Sequence, residues 1–238
     1  MSATVRFAAI LAAVVAVTPA FIRQSALAQA DKAALMRGHY AQVLVVHAAV
    51  IRGDVPAIGA PARELAQRLG LPTNPAAPPA TVDEMRFAAR WAADTSNLAV
   101  AAAATSSLLK DCGDCHRAVG VRPPVDLPGK TRVGGVVGTM LEHQRAAELM
   151  MHGLIGPSTA AWQEGARAFA AAPLHSKALP VDSAERKRMV QVEERLQRTV
   201  AKAVFLEDSY ARAAAYASIL TECSGCHGQH AKIWGPVR

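Results

Sequence analysis

Four cysteines occur in the chain, and all of them fall in two copies of one pattern: CGDCH from Cys112 to His116 and CSGCH from Cys223 to His227. A Cys-x-x-Cys pair alone serves as a redox dithiol or as half of a zinc site. Followed directly by histidine, it is the attachment signature of a c-type haem. Two thiols separated by two residues reach the two vinyl groups of one porphyrin as thioethers, and the adjacent imidazole is delivered to the iron from below. On this chemistry Cys112, Cys115, Cys223 and Cys226 bind two covalently attached haem c groups, and His116 and His227 are the proximal iron ligands. A zinc site pairing the two motifs would use four thiolates and leave both histidines unexplained.

The N-terminus agrees with this chemistry, because attachment of this kind takes place outside the bacterial cytoplasm. Arg6 lies in a short leading segment, an apolar run follows from Phe7 to about Val17, and small residues stand at Ala26, Ala28 and Ala30. This is the pattern of a signal peptide over residues 1–30, cleaved after Ala28 or Ala30, and the run is too short to be a membrane span. The expected location is the periplasm, with no further apolar stretch of spanning length and no stable membrane insertion after cleavage. Cleavage removes Arg6 and Arg23 and no acidic residue, which lowers the formal charge from +7 to +5. A modest basic balance suits docking to acidic redox proteins. Without a dense basic cluster and interleaved aromatics, nucleic acid is not an expected partner.

The elements that must position these motifs are helical. Alanine dominates, and no segment alternates with period two in the manner of a strand. The two motifs stand 111 positions apart, about half of the mature length. Upstream of each, a Met-x-x-His pair recurs, Met36 with His39 and Met140 with His143, each at the start of an apolar helix followed by a Gly/Pro break. Duplication is the simplest reading: a first haem-binding bundle over 31–120, a linker over 121–137 that is interrupted by Pro123, Pro124, Pro128 and several glycines, and a second bundle over 138–238. In the first half helices are expected over 31–52 and up to Gly70, then from Val82 to His116 with a break near ADTSN. There Thr81 and Glu84 have the spacing of a capping box. In the second half they are expected over 139–154, 159–171 and 182–227, with a break near LEDS. Alanine-rich helices leave few large side chains for the middle of such a bundle, a gap that a flat porphyrin fills.

CSGCH is followed by only eleven residues, GQHAKIWGPVR. A motif on the last helix resembles the class II cytochromes c, meaning cytochrome c-prime and its low-spin relatives, and VIRGDVP after the first helix is similar to the family's first turn. The resemblance implies an all-α fold of two tandem four-helix bundles, each enclosing one haem, although the stretch between Gly53 and Cys112 is shorter than the family's usual one. It also implies that the first helix of each bundle faces the distal side of its haem. His39 and His143 then become the candidate sixth ligands, with Met36 and Met140 as the alternatives, because each pair is one turn apart on a single helix face. Histidine is preferred as the stronger ligand of ferric iron.

The function that follows is electron transfer between periplasmic or membrane-bound redox proteins through two six-coordinate haems. The chain then acts as a carrier and not as an enzyme. Two alternatives stay open: five-coordinate haems that bind nitric oxide or carbon monoxide, and a dihaem peroxidase or sulfur-compound oxidoreductase. His47 and His152 read as half-buried or surface groups, His175 as a loop residue and His230 as an exposed tail residue.

Overall fold

A computed structural model describes residues 31–69, 77–124, 129, 133–174 and 181–234, with the side chains of 229–234 left out. The expected signal peptide over 1–30 lies outside the described residues, as do Gly70, His175 and much of the expected linker. All regular structure among the described residues is helical: α1 Asp31–Arg52, α2 Pro56–Arg68, α3 Pro79–Asp94, α4 Leu98–Ala118, α5 Gly135–Ile155, α6 Thr159–Ala170, α7 Ser183–Ala203 and α8 Ser209–Trp234.

Local chemistry explains most of the boundaries. α1 stops at Gly53, whose φ of +68° places it in the left-handed region that glycine enters without strain. Its N–H bonds the Val50 carbonyl at 3.0 Å, and the Asp54 N–H bonds the Ala49 carbonyl at 3.0 Å, so two of the helix's last carbonyls are satisfied. The expected break at ADTSN is present. Asn97 caps α4 by accepting from the Ala99 and Val100 N–H groups at 2.9 and 3.2 Å. The break near LEDS separates α7 from α8, and Asp182 caps α7 through the Glu185 N–H at 2.8 Å. The capping box at Thr81 does not form. α3 instead begins three residues earlier than expected, at Pro79, with Pro78 at the cap and no side-chain hydrogen bond there, because proline at the first helical position sets φ and has no N–H to satisfy.

α1 is the one helix among the described residues long and apolar enough to cross a membrane, which corrects the expectation that no such stretch follows the leader. Between Arg37 and Arg52 it carries no Asp, Glu, Lys or Arg. A core helix passes the same test, and Val43, Val46, Ala49 and Val50 of α1 are buried.

By their contacts, the residues up to Ala41 and those from Gln42 onward form separate units. Within the second unit α2, α3 and α4 pack in chain order, while α5, α6, α7 and α8 close a ring in which α8 returns to α5. α4 joins the two sets by packing against both α5 and α8. The α4/α8 pair is antiparallel: Lys110 near the end of α4 lies 4.2 Å over the ring of Tyr210 at the start of α8, and Leu98 at the start of α4 lies beside Gly228 near the end of α8.

The interior is alanine-rich where α3 meets α4, with Ala88, Ala89, Ala92, Ala101, Ala102 and Ala104 buried. Larger groups fill the ring of α5 to α8, where Trp162, Phe169, Tyr216, Leu149, Met150 and Met151 are fully enclosed. The Trp162 indole N–H is satisfied by the Ala203 carbonyl at 2.7 Å.

Candidate haem-attachment sites

Both motifs are helical throughout. In α4 the side chains of Cys112, Cys115 and His116 stand at i, i+3 and i+4, which a helix turns onto one face. Cys223, Cys226 and His227 repeat that placement on α8. α4 ends two residues beyond His116, and the Val121 N–H bonds the His116 carbonyl at 2.9 Å to close it. α8 continues seven residues past His227 to Trp234.

None of the four thiols is in a disulfide. Burial pushes Cys112 and Cys223 up to about 12 and Cys226 up to about 11, and it raises Cys115 as well. Neighbouring acids work in the same direction, Asp111 on Cys112 and Glu222 on Cys223 and Cys226. These are neutral thiols at ordinary pH, whereas a redox dithiol depends on a stabilised thiolate. Among the described residues no group of three or more His, Cys, Asp or Glu side chains is arranged around a common metal position.

His116 is held from one side. Its Nδ1 lies 2.8 Å from the Ile155 carbonyl oxygen at the end of α5. A carbonyl only accepts, so Nδ1 carries the proton and Nε2 keeps its lone pair, the tautomer a metal-binding imidazole requires. Neutral thiols and a bare Nε2 on one helix face fit a c-type haem, which Cys112 and Cys115 would hold as thioethers and His116 through iron. Immediately before the motif, Lys110 is buried and bonds Asp111 at 2.6 Å and Asp114 at 2.8 Å. Burial alone would lower its pKa, but these two carboxylates outweigh that and keep the ammonium charged. The second motif lacks this triad and has instead a two-pronged bridge from Arg195 of α7 to Glu222, at 2.6 and 2.9 Å.

The candidate distal groups fall out differently. Met36 and His39 lie on the part of α1 before Gln42; His39 is buried and Met36 is 40% exposed. Met140 and His143 are half-buried on α5. His143 feels the charge of His227, so the structure brings the second half's candidate distal and proximal histidines into electrostatic range. Burial lowers the His143 pKa against the opposing hydrogen bond from its ring to the Ala172 carbonyl. That bond, Nε2–H to oxygen at 2.6 Å, leaves Nδ1 as the bare nitrogen, and the ring stacks on Phe169 at 4.5 Å.

One group has a larger role than sequence reasoning assigns it. His47 reads as half-buried or surface but is enclosed at 3% exposure, with Nε2 2.6 Å from the Tyr216 hydroxyl. Tyr216 stands 169 positions away in the chain. Only its own position on an apolar face of α1 hinted at burial. His152 is half-buried, in keeping with its sequence reading, and the side chain of His230 lies outside the described residues.

No protein-family model, curated protein or solved structure matches this chain.

Proposed function

We propose that the chain is an exported dihaem c-type cytochrome that passes electrons between redox partners in the periplasm. The observation that carries this reading is the arrangement of all four cysteines as two Cys-x-x-Cys-His sets, each on one helix face, with His116 in the iron-binding tautomer. Bound haem supplies a one-electron couple at an iron held within the fold. The chain's own residues do the rest. Cys112, Cys115, Cys223 and Cys226 fix the two porphyrins, His116 and His227 present nitrogen to them, and the surrounding helices keep water away. The ring of contacts from α5 to α8 supports reading the second half as a four-helix bundle, while α2, α3 and α4 pack in chain order.

A second reading has one observation in its favour. The His143 Nε2 is engaged by the Ala172 carbonyl, an arrangement that leaves the distal face of the second haem open to nitric oxide or carbon monoxide.

Mass spectrometry of the denatured exported protein tests the shared claim, since two haem masses should remain bound; a chain carrying one haem, none or zinc overturns it. The reduced optical spectrum then separates the readings. Sharp low-spin bands unmoved by carbon monoxide support electron transfer, and a carbon monoxide shift supports gas binding.

A further inference from the structure

The first motif is completed by the other half of the chain. Gly113 stands between the two cysteines of CGDCH, and a Cβ placed on it would overlap the Leu154 carbonyl oxygen of α5. Glycine is therefore what lets the end of α5 lie directly on the motif. The next residue, Ile155, is the last of α5, so its carbonyl has no partner within its own helix and sits at the negative end of the helix dipole. His116 Nδ1–H donates to it at 2.8 Å.

We infer that the C-terminus of α5 is a positioning element for the first haem, its Ile155 carbonyl fixing the plane and tautomer of His116 and strengthening Nε2 as a donor to iron. The inference rests on the haem reading above. It adds that the first iron site takes its orienting group from the helix that also carries the candidate distal ligand of the second, His143, twelve residues or about 18 Å back along it. The second motif has a related contact with the partners exchanged: Gly53, which closes α1, lies so close to α8 that a Cβ on it would stand 2.8 Å from the Ser224 carbonyl oxygen.

A stronger nitrogen donor stabilises ferric iron, so loosening this hydrogen bond should raise the first haem's potential. Gly113→Ala pushes α5 off the motif, whereas Gly225→Ala in the second motif meets nothing within 4 Å and serves as the control. Redox titration of the exported full-length proteins is expected to show one of two potentials raised in Gly113→Ala, the one that disappears in the chain lacking Cys112 and Cys115, and neither moved in Gly225→Ala. Two bound haems with unchanged potentials in Gly113→Ala overturn the inference and leave the haem reading standing; an absence of haem from the wild-type protein overturns that reading itself. If Gly113→Ala does not fold, nitrogen-15 NMR of the reduced wild-type protein decides. A slowly exchanging His116 Nδ1 proton supports the inference, and one exchanging freely with water overturns it.

Discussion

His47 donates to Tyr216. The Tyr216 hydroxyl has one proton, and it is committed to the Ala147 carbonyl at 2.7 Å, so the 2.6 Å contact with His47 Nε2 must be an imidazole N–H pointing at the phenol oxygen. α1, α8 and α5 are joined by this short chain of buried bonds, and burial disfavours a charge on its histidine.

The first prediction is a loss of stability in mild acid. Burial, helped by the nearby charge of His152, lowers the His47 pKa from 6.5 to about 4. A histidine whose folded value is depressed contributes fully above its unfolded value and loses that contribution as pH falls toward the folded one. The window is therefore pH 6.5 down to 4, and the loss is about 3 kcal/mol by linkage. Urea melts of the wild-type protein across that range should show it, and His47→Gln should flatten the slope.

Tyr216→Phe removes one oxygen and strands the buried His47 N–H, whereas the Ala147 carbonyl, in the middle of α5, keeps its place in the helix ladder. A buried donor left without a partner costs roughly 1–3 kcal/mol, and a fall in unfolding free energy of about that size is expected in denaturant titration at pH 7. A change below about 0.5 kcal/mol would mean that the hydroxyl bonds carry no weight.

Substitution tests the proposed sixth ligands. His39→Ala and His143→Ala should each turn one haem high-spin and reactive with carbon monoxide, while Met36→Leu and Met140→Leu change little. For His143 this requires release of the Ala172 bond or use of Nδ1. A weak sulfur-to-iron band at the red end of the ferric spectrum, lost in a methionine variant, would reverse the assignment at that site.

Gly53→Ala tests the turn that closes α1. An alanine there meets both a φ of +68° and a backbone oxygen 2.8 Å from its Cβ, and neither can be relieved by a side-chain rotation. A left-handed alanine alone costs about 1–2 kcal/mol, so a drop in melting temperature of several degrees is expected. The damage should fall first on the segment from Ser224 to Gly228, read by hydrogen exchange.

Removing one haem should weaken more than one half. Replacing Cys112 and Cys115 by Ala should leave a single haem by pyridine haemochrome assay, held at the second motif. Because α4 packs on both α5 and α8, the melting midpoint of the whole second unit should fall with it. An unchanged midpoint would show that the two halves are energetically separate.

The sequence made the helices legible and left their partners obscure. Asn97 and Asp182 are cap residues before apolar periodic stretches, so the starts of α4 and α7 could be read from local chemistry alone. Thr81 and Glu84 gave an equally local signal and were overruled by Pro79, which starts a helix without any side-chain cap. The haem chemistry proposed for the motifs rests on residue type and spacing. What no local pattern carries is which helix lies across them. Gly113 looks like filler between two cysteines until the end of α5 is placed on it, and His47 looks peripheral until Tyr216 arrives from 169 positions away.

The antiparallel run of α4 against α8 gives the pair two poles. Leu98, beside Gly228, is fourteen residues from Cys112, and Cys223 lies five residues before Gly228 on antiparallel α8, so the near ends of the two attachment segments are separated by about 14 Å along the helix axis. A visitor resting against one pole meets one motif and not the other. Under the proposed function, an electron that enters at one pole and leaves at the other would travel lengthwise along α4 and α8, so the helices that hold the fold together would also set the distance it covers.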